Sequence, residues 1–181
     1  MNTQPKAILD TSALISLYEL DLLAYLNLMY VEVLIPDAVE HEFLENQRID
    51  QEEKTKRFSY FLENLDIHAT WLKQCKDYDT ALIDLYLTIE NMDKGEAETL
   101  AQNQSLENLY EVIIDEKFAK KFARQENMEV HGTLYLNAVL DIRFSVCDYF
   151  EYTQKMMNET TTHISEKIIN MVYEAVEKEL K

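Results

Sequence analysis

Residues 6–20 read KAILDTSALISLYEL and residues 110–125 read YEVIIDEKFAKKFARQ. Each begins as a short apolar run of strand length, ends on an aspartate and passes at once into the spacing of an amphipathic helix. The first run, Lys6 to Asp10, continues through Thr11 and Ser12, residue types that suit a helix N-cap. The second, Tyr110 to Ile114, opens into a helix from Asp115 to Gln125. Between them lies VEVLI at residues 31–35, followed by Pro36, Asp37 and a helical AVEHEFLEN. Proline there sits where a helix start tolerates it. Strands that alternate with helices predict a parallel sheet covered by helices.

Working outward, Asp93, Lys94 and Gly95 predict a turn, Glu96 to Gln104 a helix and Met128 to Val130 a short fourth strand. From about residue 47 to about residue 92 the chain is charged and helical in pattern, with one extended piece, IHATW, at residues 67–71. After Gly132, GTLYLNAVLDIRF and SVCDYFEYTQKMMNE read as helices. Thr160 to Thr162 offer a cap for a final helix striped by Ile164, Ile168, Val172, Ala175 and Val176. The expectation is one α/β domain over residues 1–181, with about four strands, a helical insertion at about 47–92 and C-terminal helices at about 143–181.

Composition narrows the function. Asp plus Glu number 34 against 17 Lys plus Arg, a formal charge of -17, which weighs against broad nonspecific binding to nucleic acid. Two glycines and two prolines cannot supply a phosphate-binding loop or a dinucleotide fingerprint. Cys75 and Cys147 stand apart, without the spacing of a zinc site or a disulfide framework. The start of the chain lacks the pattern of a signal peptide, and no run is long enough for a membrane span, so a cytoplasmic protein without membrane contact is expected.

In open parallel sheets, functional groups gather beyond the carboxyl ends of the strands. Asp10 and Asp115 stand there, and Glu42 and Glu96 fall in the early turns of neighbouring helices. Four converging carboxylates repel one another, and a hard divalent cation with oxygen preference relieves that repulsion. Mg²⁺ or Mn²⁺ is therefore the expected cofactor. A cation so held lowers the pKa of water and neutralises charge on a phosphodiester, which is the chemistry of a nuclease.

Five segments in order, AILDTSALI, VLIPDAVEHEF, MDKGEAETLAQ, VIIDEKFAKKFA and VHGTLYL, resemble PIN-domain proteins. The similarity is greatest to the VapC-like group with a Gly-Glu-Ala-Glu motif and an extended helical C-terminus. The resemblance implies a PIN-like sheet and a ribonuclease that leaves 5′-phosphate and 3′-hydroxyl ends. It places the family acids, as catalytic and metal-binding residues, on Asp10, Glu42, Glu96 and Asp115. Glu40 is a decoy beside Glu42. Thr11, Ser12, Glu98 and Glu116 are secondary candidates, although Glu96 and Glu98 lie two residues apart on a helix and point in different directions. Many members carry a hydroxyl residue two before the fourth acid; Ile113 stands there, so a supporting hydrogen bond is expected to be missing.

An RNA substrate needs cations. Lys117, Lys120, Lys121 and Arg124 share one helical face beside Asp115 and are the expected phosphate contacts, with Phe118 and Phe122 turned to the core. Arg48, Lys54, Lys56 and Arg57 form a looser second cluster. The scattered histidines, Trp71, the tyrosines, Met156 and Met157 read as surface or packing residues. The leading expectation is a metal-dependent endoribonuclease, the toxin of a toxin–antitoxin pair with a cognate antitoxin protein. The final stripe completes the domain's own core or, failing that, a homodimer. The rivals are a noncatalytic PIN-fold partner-binding or regulatory module and a phosphatase-like hydrolase on the same sheet.

Overall fold

The computed structural model describes residues 4–45, 49–64, 71–75, 79–159 and 164–181. Its centre is β1 (Lys6–Leu9), whose Ala7, Ile8 and Leu9 are all fully buried. Burial on both faces is what a continuous apolar run means in a sheet covered on two sides. β1 pairs in parallel with β2 (Glu32–Pro36) on one side and with β4 (Glu111–Ile113) on the other. β3 (Leu72–Cys75) extends the sheet beyond β2, and β5 (Val130–His131) beyond β4, giving the order β3-β2-β1-β4-β5.

That order fixes where a site can form. The chain winds from β1 outward through β2 to β3, then returns to lay β4 on the opposite side of β1. The reversal falls between β1 and β4, and the crevice beyond their carboxyl ends is the switch point at which such sheets bind ligands. The register aligns Leu9 with Ile113, and the Asp10 amide donates to the Ile113 carbonyl at 3.0 Å.

Helices cover both faces. One face of the sheet, with Ala7, Leu9, Val33 and Ile35, packs against α1 (Thr11–Glu19), α2 (Asp37–Leu44) and α7 (Thr133–Val139). The other, with Ile8, Leu34, Val112 and Ile114, packs against α4 (Thr80–Leu87), α5 (Lys94–Ser105) and α6 (Lys117–Gln125). A π-helical segment, Leu140–Phe144, prolongs α7 and stops at Ser145, which takes a left-handed φ of 53°. Beyond it, α8 (Tyr149–Glu159) and α9 (Glu166–Glu179) bury Tyr149, Ile169 and Val176 against Ala138 and Val139; of the expected stripe, Val176 enters this core, Ile164 and Val172 pack partly buried against it, and Ile168 and Ala175 are exposed. No helix among the described residues is long and apolar enough to cross a membrane.

Three expectations shift. The sheet has five strands rather than about four, because the insertion supplies β3 as well as α3 (Gln51–Asn64) and α4. Sequence placed the extended piece at residues 67–71, but residues 67–70 lie outside the described residues and Leu72–Cys75 carries the pairing. With Lys73 and Gln74 exposed on an edge, LKQC has too little apolar alternation to announce a strand. Ser165 caps α9, accepting from the Ile168 amide at 3.4 Å; Thr160 to Thr162 lie outside the described residues.

One carboxylate ties four strands at the opposite edge of the sheet. Glu32 of β2 accepts from Lys6 of β1 at 3.1 Å, from Lys73 of β3 and from the Tyr110 hydroxyl just before β4. Burial pushes its carboxyl up, but these three donors outweigh burial and hold it down at about 2 instead of the usual 4.5. A depressed folded-state pKa contributes stability that is complete above 4.5 and is lost as pH falls toward 2. Glu32→Gln should therefore flatten the acid limb of a plot of melting temperature against pH between those values. An unchanged acid limb would show that the tie does not hold the sheet.

Candidate active site

The four acids sit on four different elements that meet beyond β1 and β4. Asp10 is the N-cap of α1: its Oδ1 accepts from the Ala13 amide at 2.7 Å and its Oδ2 from the Ser12 hydroxyl at 2.8 Å. The cap is thus Asp10 itself, not Thr11 or Ser12, because the residue that leaves the strand takes the extended cap conformation. Freed of that duty, Thr11 donates its hydroxyl to Glu42 of α2 at 2.6 Å. Glu96 stands at the third position of α5 and closes a capping box with Asp93. Its amide donates to Asp93 Oδ1 at 2.8 Å, and its own Oε2 accepts from the Asp93 amide at 3.1 Å.

Asp115 corrects the expectation of a missing hydrogen bond. Ile113 offers no hydroxyl, but Thr133 at the start of α7 donates its amide to Asp115 Oδ1 at 2.8 Å and its hydroxyl to Oδ2 at 2.5 Å. Sequence reasoning missed Thr133, although it lies in the quoted VHGTLYL segment. Only the pairing of β4 with β5, which stops at Ile113 and His131, reveals that Asp115 and Thr133 emerge side by side.

The secondary acids separate. Glu98 is buried and accepts from the Ala38 amide at 2.7 Å, with Lys94 3.7 Å away. It anchors the start of α2, the helix that carries Glu42, from across the interface. Glu116 caps α6 through the Ala119 amide at 2.8 Å. Glu40 turns out of the cluster to Gln74 of β3.

Both of the chain's glycines border this site. A Cβ on Gly95 would stand 2.8 Å from Thr11 Oγ1 and 3.1 Å from Glu42 Oε2. A Cβ on Gly132 would stand 2.8 Å from Asp115 Oδ1 and 3.2 Å from Lys120 Nζ. Each glycine admits the neighbouring oxygens where a side chain would displace them.

Electrostatics bind the cluster together. Asp10 is only 3% exposed, and its carboxyl is raised well above the ordinary range, first by burial and then by Asp115, with Glu96 adding to the effect. Burial pushes Glu96 up to about 7 against a backbone hydrogen bond that lowers it, with Asp93, Glu116 and Glu42 adding negative potential. None of the four acids forms an ion pair with a described lysine or arginine. An all-carboxylate donor set short of positive charge fits a hard divalent cation. The side chains are turned to their own hydrogen-bond donors, and among the described residues no three acids, histidines or cysteines are drawn together into a ready-made ion cage.

The basic residues also divide. In the second cluster Arg57 is buried, ion-paired to Glu19 at 3.2 Å and Glu53 at 3.0 Å, and lies 4.7 Å over the Phe43 ring. Lys54 pairs with Glu45 and Lys56 with Glu52, so these cations fasten the insertion; Arg48 lies outside the described residues. On α6, by contrast, Lys117, Lys120, Lys121 and Arg124 form no ion pair with a described carboxylate. Lys117, Lys120 and Arg124 line a cavity together with Asp115, while Lys121 is exposed outside it. Phe118 and Phe122 pack against the core as expected.

A raised carboxyl contributes stability that is present below its unfolded-state pKa and lost as pH climbs through the folded-state value. Metal-free protein should therefore lose stability between pH 4.5 and about 7 through Glu96, and Glu96→Gln should remove much of that decline. Urea unfolding across this range checks it, and equal slopes in both proteins would refute the burial of a charged Glu96. Thr133→Val keeps the volume but strips one donor from Asp115 and should cost about 1–3 kcal/mol in the same assay.

No curated protein matches the chain. Among solved structures, a PilT N-terminus domain protein from the hyperthermophilic archaeon Sulfolobus solfataricus is similar at 14% identity, over 88% of this chain and 99% of that one, with a TM-score of 0.41. The PIN domain family DUF3368 matches residues 6–178, a span that includes all five strands and the four clustered acids. PIN domains are generally nucleases and typically use divalent metal ions. With that match covering nearly its whole length, the chain belongs to the PIN domain family.

Proposed function

We propose that this protein is a metal-dependent endoribonuclease, using Mg²⁺ or Mn²⁺, with Asp10, Glu42, Glu96 and Asp115 as the acids of its site. The observation that carries the reading is Asp10, a buried carboxylate between Asp115 and Glu96 with no cationic partner among the described residues. Such a group is costly to leave charged unless something positive joins it. When bound, a divalent cation supplies charge neutralisation at a phosphodiester and lowers the pKa of water. The chain's own residues do the rest. Ser12 and the Ala13 amide hold Asp10, Thr11 holds Glu42, and Thr133 holds both oxygens of Asp115. Lys117, Lys120 and Arg124, which form no ion pair with a described carboxylate, stand beside Asp115 and bind phosphates of the RNA strand. The VapC-like resemblance adds the role of a toxin restrained by a cognate antitoxin protein.

A second reading, a noncatalytic partner-binding PIN module, is favoured by the lack of a ready-made ion cage among the described residues. The two readings differ in one inexpensive measurement. A ligand that binds only the folded state stabilises it, by about 2.7 kcal/mol at a hundredfold excess over its Kd. Millimolar Mn²⁺ should raise the melting temperature of the wild type but not of Asp10→Asn. The asparagine keeps an acceptor for the Ala13 amide and caps a helix as well as aspartate does, so the variant should still fold. RNA cleavage should fall by about 10²-fold or more in that variant and stop in the wild type on chelation. No Mn²⁺ shift and no cleavage in the wild type would favour the noncatalytic module.

The cationic face has its own signature. Each phosphate contact to a single strand contributes about 0.7 to the slope of log affinity against log salt. Lys117→Ala and Arg124→Ala should each lower that slope by about this amount, whatever the RNA sequence. Unchanged slopes would leave α6 as a plain solvated surface.

A further inference from the structure

The four cations of α6 are not equivalent. Lys117, Lys121 and Arg124 are exposed, whereas Lys120 is half-buried. It lies in the first turn of the helix, its amide donating to the Glu116 carbonyl at 3.1 Å, next to the fully buried Ala119. A lysine so placed withdraws its methylene stem from water and leaves its charged end at the border. That end reaches the backbone of Gly132, where a Cβ would stand 3.2 Å from Lys120 Nζ and 2.8 Å from Asp115 Oδ1. Ammonium and carboxylate thus approach one bare backbone position, yet they stop short of an ion pair. Thr133 donates once to each Asp115 oxygen, and a carboxylate keeps further lone pairs for a cation.

This placement sets Lys120 between two opposite demands. In the metal-free protein its charge favours the carboxylates, which form no ion pair of their own with a described lysine or arginine. A divalent cation held by Asp115 meets the same ammonium as a like charge, and half-burial leaves that repulsion less screened than at an open surface. A phosphate oxygen reverses the sign, since an anion beside both charges is attracted by both. We infer that Lys120 is the resident counter-ion of the carboxylate cluster: it stabilises the metal-free site, weakens binding of the divalent cation alone, and turns to the phosphate when substrate arrives. Cation and phosphate then strengthen each other's binding by the same factor. The inference rests on the nuclease reading of Asp10 and Asp115. It adds a residue that sets metal affinity without coordinating the metal.

The test is calorimetric titration of the full-length protein with Mn²⁺ alone. Lys120→Met keeps the stem and removes the charge, and should bind Mn²⁺ about tenfold more tightly than the wild type. Lys120→Gln is a second neutral variant should the first unfold. Lys120→Arg, which keeps the charge, and Lys117→Met, which removes an exposed one, should stay within about twofold of the wild type. Adenosine 5′-monophosphate carries a phosphate with no diester to cleave. It should tighten Mn²⁺ binding by about tenfold more in the wild type than in Lys120→Met. Melting temperatures give an independent readout: Lys120→Met should melt below the wild type without metal, and the difference should close or reverse in millimolar Mn²⁺. A lysine that merely packs against the core would lower both values alike.

Unchanged or weakened Mn²⁺ binding in both neutral variants would overturn the inference, while Mn²⁺ binding by the wild type left the metal-dependent reading standing. Equal tightening in Lys117→Met would assign the effect to net charge and overturn it as well. Mn²⁺ that binds neither the wild type nor any variant would overturn the metal-dependent reading together with the role of Lys120.

Discussion

The mutual repulsion of carboxylates at the β1–β4 switch point is the constraint to which the rest of the molecule answers. Asp10 is buried because β1 is the central strand and the chain must leave it beneath two covering layers. Burial penalises its charge, and Asp115 and Glu96 penalise it further. What tempers the cost locally is the start of α1. The amide of Ala13 and the positive end of the helix dipole face the carboxylate, and Ser12 adds a hydroxyl. Asp115 has a comparable arrangement, with donors from the start of α7. Three of the four acids, Asp10, Glu96 and Asp115, thus stand at helix beginnings, where backbone amides or hydroxyls hold them without a cation, while Glu42 comes from the second turn of α2 and is held by the Thr11 hydroxyl.

Close approach is the second consequence. Elements carrying four acids come close only if the intervening backbone is thin, and the two glycines lie where the Thr11 hydroxyl meets Glu42 and where Asp115 and Lys120 flank the Gly132 backbone. In a chain with only two glycines this placement is economical. Gly95 is not needed for an unusual backbone angle, and as a helix residue it costs about 1 kcal/mol relative to alanine. The space it leaves for the Thr11–Glu42 hydrogen bond accounts for a residue that local stability would otherwise disfavour.

Much of this was legible in the sequence. Apolar runs that end in Asp10 and Asp115 announced the central strands, and the order of motifs placed the four acids on elements that the topology does bring together. What could not be read was contact across the sheet. LKQC became β3 because β2 offers it backbone hydrogen bonds, not because its own residues favour extension. Thr133 replaced the hydroxyl absent at Ile113 because β5 runs beside β4, and a spacing rule along one strand cannot detect a donor supplied by its neighbour. Glu98 looked equivalent to Glu96 in sequence, yet the helix turns it to the Ala38 amide, where it supports Glu42 from behind. Arg57 looked like part of a basic surface and became a buried clamp, because Glu19, Glu53 and the Phe43 ring surround it.

The distribution of charge then decides how an acidic protein meets an anionic strand. With a net charge of -17, the average field repels RNA at long range, and within about 8–10 Å at ordinary salt only local charges matter. Most of the described cations are already spent. Lys6 and Lys73 serve Glu32, Arg57 serves Glu19 and Glu53, Lys54 serves Glu45 at the end of α2, and Lys56 serves Glu52 on its own helix. The α6 face is different because its helix starts just after Asp115, at the Glu116 cap, and its apolar side, Phe118 and Phe122, is committed to the core, so its cations are held outward, Lys117, Lys120 and Arg124 beside Asp115. Under the proposed function, a strand drawn to this face is brought to the carboxylate cluster. Repulsion elsewhere would then sharpen the choice of site, so the acidity that argues against general nucleic-acid binding is consistent with the proposed short docking track on α6.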